Sequence, residues 1–145
     1  MRGVKIDVLR ALKQEAIRRN DWNIHWSIAR VNAEVIGSFE VLLPDCRFGP
    51  IDPASTLTFA TRSSLLEAMK EDPLLLGLAY DDVVSEKANI FVCCAYGDNF
   101  IELTDSLESY LESNSYGFDE SNTYFSIDLA VNDQWSCQSK DLEWW

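Results

Sequence analysis

The chain has 145 residues, a length that excludes two independent domains. Hydrophobic residues make up 47% and charged residues 25%, which excludes a disordered or low-complexity protein. The formal net charge of -12, from 12 Lys+Arg against 24 Asp+Glu, disfavours binding to nucleic-acid phosphate and to anionic membranes. We therefore expect one acidic globular domain that binds neither nucleic acid nor a membrane surface.

Charge is distributed unevenly along the chain. Residues 1–31 hold seven basic and three acidic side chains, a net of +4, which leaves -16 for the remainder. This asymmetry allows the basic segment to dock on the acidic body of the chain or on an acidic partner. The alternative is a solvated basic helix face without a partner.

The four cysteines, Cys46, Cys93, Cys94 and Cys137, form no Cys-x-x-Cys pair, so neither a metal site nor a disulfide framework is expected. Free thiols, together with the lack of an apolar run long enough to span a membrane, predict a reducing, cytoplasmic location. His25 has no carboxylate or thiol at metal-ligand spacing, which indicates a packed or surface histidine.

Residues 1–60 are interpreted as a mainly helical N-terminal extension followed by a Pro-rich linker. Helical spacing of apolar residues predicts an amphipathic helix from Val4 to near Asn20. The stretch that follows alternates as a strand would, yet after Trp26 its apolar residues also fit a helix, which we favour. Three of the four prolines then fall within residues 44–53, so a linker or surface loop is expected there.

The remainder of the chain reads as an α/β fold. The sequence Ser64–Glu67 forms a capping box that predicts a short helix ending before Pro73. Asn89–Tyr96 is apolar on both faces, as is typical of a strand in the middle of a parallel sheet. An amphipathic helix over Phe100–Leu111 and a strand over Thr123–Val131 complete a β-α-β unit, whose two strands should be parallel.

Two segments of this unit carry sequence motifs that are more informative than their hydrophobic periodicity. Phe91–Tyr96, followed by Asp98 and Phe100, resembles the first strand and loop of Toll/interleukin-1 receptor (TIR) domains. Tyr124–Gln134 resembles the second strand of a TIR-like group from algae and other protists, and Thr61–Leu65 is similar to the same group. The resemblance covers residues 61–145. The sequence departs from the family pattern at two places. Cys93–Cys94 stand where the family has Ser-His or Ser-Tyr, and Ser126 stands where a tryptophan is expected.

The resemblance implies a flavodoxin-like parallel sheet of about five strands. Residues 89–145 suffice only for the first two, so we expect an N-terminal half-domain, a truncated product or fragment whose first strand has an uncovered edge. TIR enzymes cleave NAD with a glutamate on a helix beyond the third strand, a region this chain lacks. The resemblance thus implies no catalytic residue and no cofactor here, with NAD as a substrate of a full-length relative.

Candidate ligand-binding residues follow the two strands, because ligands of open α/β sheets bind beyond the carboxyl ends of parallel strands. Half of a nucleotide pocket is one interpretation, and simple capping of the next helix by Asp98 is the other. Asp128 either supports the loop after the second strand or is a hydrogen-bonded polar group at the sheet edge. Cys93 and Cys94 are expected to pack in the core. The residues of the candidate pocket are Gly97, Asp98, Asn99, Asn132, Asp133, Gln134 and Trp135.

Three functions are compatible with these observations. The first is a TIR-like interaction module in cytoplasmic signalling or defence, which binds protein partners that include copies of itself. The second is a fragment of an NAD-cleaving hydrolase whose catalytic half is missing. The third is a small acidic inhibitor or immunity-like protein that binds a basic partner through its surface charge.

Overall fold

A computed structural model of the chain describes residues 1–19, 25–39, 65–113 and 116–131, which form helices around one small sheet. The helices of these ranges are α1 (Ile6–Arg19), α2 (Ile28–Arg30), α3 (Leu65–Glu71), α4 (Tyr80–Val83), α5 (Phe100–Ser113) and α6 (Asp128–Val131). The strands are β1 (Gly3–Val4), β2 (Val84–Ser85), β3 (Ile90–Val92) and β4 (Phe125–Ile127).

The four strands lie in the order β2-β1-β4-β3. The β1 strand is antiparallel to both of its neighbours, with Val4 opposite Phe125 of β4 and opposite Val84 of β2. The β3 and β4 strands are parallel to each other. The sheet is therefore open and mixed, and the chain has α/β character.

The predicted β-α-β unit is confirmed. Phe91 of β3 is paired with Ser126 of β4, the two strands run the same way, and α5 connects them. Both strands are shorter than predicted, with three residues each. The β4 strand ends at Ile127 because α6 begins at Asp128, so the predicted continuation of the strand to Val131 is wrong.

The position of β3 among the described strands agrees with the uncovered edge expected of a half-domain but differs from the expectation drawn from its apolar run. An apolar run on both faces predicted a strand in the middle of a parallel sheet, whereas β3 lies at the edge of the described sheet and Phe91 is 68% exposed. The inner positions are held by β4 and by β1, which comes from the first residues of the chain. The N-terminal segment thus contributes a strand to the sheet.

The core combines buried residues of α1, of residues 26–39, of α3 and of the sheet, with a smaller share from α5. Helix α1 ends at Arg19, close to the predicted end, and Val8, Leu9 and Leu12 on its inner face are fully buried. Phe125 and Ile127 of β4 are also fully buried. Burying a side chain of this size stabilises the fold by about 1.5–3 kcal/mol before entropy is counted. The apolar residues whose helical spacing predicted α1 therefore form the face of the helix that packs in the core.

The basic N-terminal helix docks on the acidic body of the same chain. Arg10 contacts Glu108 of α5, with 3.2 Å between Nε and Oε1, and donates a hydrogen bond to Glu120. Lys13 is paired with Asp105. The hydrogen bond from Arg10 lowers the pKa of Glu120. All these groups are partly exposed, so each pair adds little stability. Two of the pairs join α1 to α5, and the third joins α1 to the loop after α5.

A second helical stretch follows Trp26, as favoured from the sequence. Ser27 Oγ accepts a hydrogen bond from Arg30 N at 3.1 Å and caps α2. The stretch continues as a π-helical turn over Val31–Val35 and a 3-10 turn over Ile36–Ser38. The predicted short helix before Pro73 is confirmed as α3. Ser64 of its capping box and the Pro-rich loop lie outside the described residues.

Candidate functional site

The loop after β3 carries the first group of predicted site residues, and its geometry is set by Asp98. Asp98 N donates to Ala95 O at 3.0 Å, and Ala95 N donates back to Asp98 Oδ2 at 2.8 Å. The carboxylate therefore closes the turn in which Gly97 lies. The interpretation that Asp98 caps the following helix is wrong, because its side chain points to the turn.

Asn99 caps α5 instead. Its Oδ1 accepts hydrogen bonds from Ile101 N at 3.0 Å and from Glu102 N at 3.2 Å. Phe100 N donates to Trp26 O at 2.7 Å, and Leu103 N donates to Asn99 O. The first four N–H groups of α5 are thus all bonded within the chain, whereas a phosphate at this helix end would need some of them free.

The segment that begins at His25 lies against this loop, a contact the sequence analysis missed. Ile28 N donates to Asp98 O at 3.0 Å, and Ala29 N donates to Tyr96 O at the same distance. His25 is exposed, and its Nδ1 lies 3.3 Å from Asn99 Nδ2. Backbone groups make most of these bonds, so the only sequence signal was the ambiguous alternation around Trp26.

Trp26 fixes this segment to the hydrophobic core. Its side chain is fully buried, and the guanidinium of Arg30 lies 4.7 Å from the centre of its ring. Among the described residues, none is a hydrogen-bond partner of the indole Nε1. A buried aromatic ring under a cation is a stable packing unit, so the segment holds the loop after β3 in place.

Most of the second group of predicted site residues falls outside the residues that the structure describes. Asp128 begins α6 directly after β4. Asn132, Asp133, Gln134 and Trp135 lie outside the described residues. The proposed meeting of the two loops therefore remains a prediction, and only Gly97, Asp98 and Asn99 are placed.

The two cysteines of this region have different surroundings. Cys93 follows β3 and is exposed, so its expected place in the core is wrong. Cys94 is half-buried and packs against the core. The described ranges contain no group of three or more His, Cys, Asp or Glu side chains arranged to hold a metal ion.

The outer edge of β3 is the most exposed apolar feature next to this loop. Phe91 is 68% exposed, while Ile90 and Val92 on either side are half-buried against the core. Within the part of the chain that the structure describes, no strand pairs with β3 on the side away from β4. A hollow of about 360 Å³ lies elsewhere, between the end of the 3-10 turn and α3. Its described lining residues are Ser38, Phe39, Ala68, Glu71, Asp72 and Leu75.

Comparison with known proteins adds no relative. A scan against protein-family models found no match, and searches of curated proteins and of solved structures found none either. In the ranges described, no helix has both the length and the apolar character needed to cross a membrane.

The cap of α5 gives a first testable prediction. Asn99→Ala removes the acceptor of two helix N–H groups and should lower the free energy of unfolding by about 1 kcal/mol in urea denaturation. Asn99→Asp is the matched control, because aspartate is an equally good cap and should retain most of the stability. Equal losses for both variants would contradict the assignment of Asn99 as the cap.

Proposed function

We propose that the chain is a TIR-like protein-association module, acting in cytoplasmic signalling or defence through contacts with other proteins, including copies of itself. Within the segments that resemble the first two TIR strands, Phe91–Val92 lies in β3 and Phe125–Ile127 forms β4, and α5 joins these two parallel strands. The proposal assigns the chain a role in binding rather than in catalysis.

The observation that carries the proposal is the exposed edge of the sheet. Phe91 exposes more than half of its surface on a strand with only one neighbour among the described strands. Such an edge is a template for pairing with another chain, and soluble proteins usually protect it. An unprotected edge of this kind favours association.

The loop after β3 and the start of α5, which together form one corner of the sheet, favour protein association over nucleotide binding. A fragment of an NAD-cleaving enzyme would be expected to use this corner for phosphate. Here Asn99 and Trp26 bond the N–H groups at the start of α5, and the carboxylate of Glu102 stands in its first turn. A negative side chain at that position opposes an anion.

The test is light scattering on the purified chain over a range of concentrations and salt. The weight-average mass should rise with concentration. It should also rise between 0.1 and 1 M salt, because the Debye length falls from about 10 Å to about 3 Å and the repulsion between two copies of charge -12 is screened. A monomer at every concentration and salt would contradict the proposal.

The net charge of -12 favours a second candidate function, an acidic protein that binds a basic partner. The same salt series separates the two, since attraction between opposite charges weakens as salt rises. Binding of a basic protein that is lost at high salt, together with no self-association, would favour this second candidate.

A further inference from the structure

The backbone of Phe91 is oriented for pairing with a further strand. Ile90 N donates to Tyr124 O at 3.2 Å, so the polar groups of Ile90 face β4. Alternate residues of a strand present their N–H and C=O groups to opposite sides. The backbone N–H and C=O of Val92 therefore also face β4, while those of Phe91 point away from β4. Within the described residues, neither of these two groups has a hydrogen-bond partner.

The two edges of the sheet differ in charge. The β2 strand has two residues and is flanked by Asp82, Glu86 and Lys87, the kind of charged neighbours that protect an edge. By contrast, the ten residues from Ala88 to Gly97, which include β3, contain no charged side chain. In a chain of net charge -12, this uncharged stretch is where a second copy meets the least local repulsion.

Symmetry then selects the geometry of contact. We propose that two copies of the chain associate through antiparallel pairing of their β3 strands, about a twofold axis at Phe91. In that arrangement each Phe91 exchanges two backbone hydrogen bonds with Phe91 of the second copy, and the two exposed rings lie side by side. A second copy supplies the same uncharged edge with the same outward groups, which makes the surface complementary to itself.

The inference rests on the proposed function and names its interface. The β3 strand has three residues, so the contact is smaller than the roughly 1,200 Å² that mark a stable interface. The association is therefore weak and transient and is measured at high protein concentration. The paired sheet of the dimer continues from β2 of one copy to β2 of the other.

The first test places a charge on the edge. Phe91→Lys should raise the concentration needed for half-association by at least about tenfold in sedimentation or light scattering, because two lysines would face each other across the axis. Leu74→Lys is the matched control, since Leu74 is 84% exposed and lies outside β3. That variant should associate like the natural chain. Circular dichroism checks that both variants fold.

The second test reads the register directly. Residues exchanging hydrogen bonds in an antiparallel pair have Cα atoms about 5.5 Å apart, within the range that a disulfide spans. Phe91→Cys should therefore form a covalent dimer under a copper-phenanthroline oxidant, in higher yield than Leu74→Cys or the natural chain.

The outcomes separate the inference from the proposed function. Association that survives in Phe91→Lys, or equal dimer yields from Phe91→Cys and Leu74→Cys, would overturn the β3 interface while leaving self-association standing. No association of the natural chain at any concentration would remove both. Loss of association in Phe91→Lys alone, with preferential cross-linking at position 91, supports the interface.

Discussion

Phe125→Ala should lower the free energy of unfolding by about 3–5 kcal/mol, measured by chemical denaturation. Phe125 is fully buried in β4, an inner strand of the described sheet, and is paired with Val4 on one side and Ile90 on the other. Replacing its ring with a methyl group removes apolar burial and leaves a cavity that the flanking strands cannot fill.

Phe91→Ala is the matched control for this loss. It is the same substitution on the neighbouring strand, but the ring of Phe91 is 68% exposed. Removing the ring should change the free energy of unfolding by at most about 1 kcal/mol, measured in dilute protein. Comparable losses at the two positions would contradict both the inner place of β4 and the edge place of β3.

Gly3→Ala should destabilise the chain by about 1–3 kcal/mol, toward the upper end of that range. A Cβ at Gly3 would lie 2.8 Å from Ala88 Cβ and 2.9 Å from Ala88 Cα. The second contact is with backbone, so no side-chain rotation relieves it. The β1 strand would have to move away from the chain beside it, which would disturb its pairing with β2 and β4.

Gly97→Ala provides the comparison. No heavy atom lies within 4 Å of a Cβ built at Gly97, so the added methyl group meets open space and thermal unfolding should be nearly unchanged. Gly3→Ala with the melting temperature of the natural chain would show that β1 does not lie against Ala88. That result would remove β1 from the sheet as described.

The helices and the β-α-β unit could be predicted because their signals are local. Apolar spacing placed α1 and α5 to within a few residues, and α5 has the length of a crossover between parallel strands. The apolar run did not predict the edge position of β3, because such a run does not say how many neighbours a strand has; the uncovered edge was expected only from the half-domain interpretation. The inner strand β1 could not be predicted either, because its two residues, Gly3 and Val4, are too few to form a pattern.

The site was partly predictable for a similar reason. Asp98 and Asn99 are adjacent and both are good cap residues, so the sequence could not decide between them. The structure decides because the carboxylate of Asp98 is already bonded to Ala95 N. The contact of residues 25–29 with this loop runs mainly through backbone atoms, which leave no trace in side-chain chemistry.

Amide hydrogen exchange at Phe91 tests the account most directly, because this N–H points away from β4 and toward the proposed partner. Protection of the Phe91 amide should rise with protein concentration, whereas the Val92 amide, which faces β4, should be protected at every concentration. Phe91 protection that does not change with concentration, in a sample shown to associate, would contradict pairing through β3.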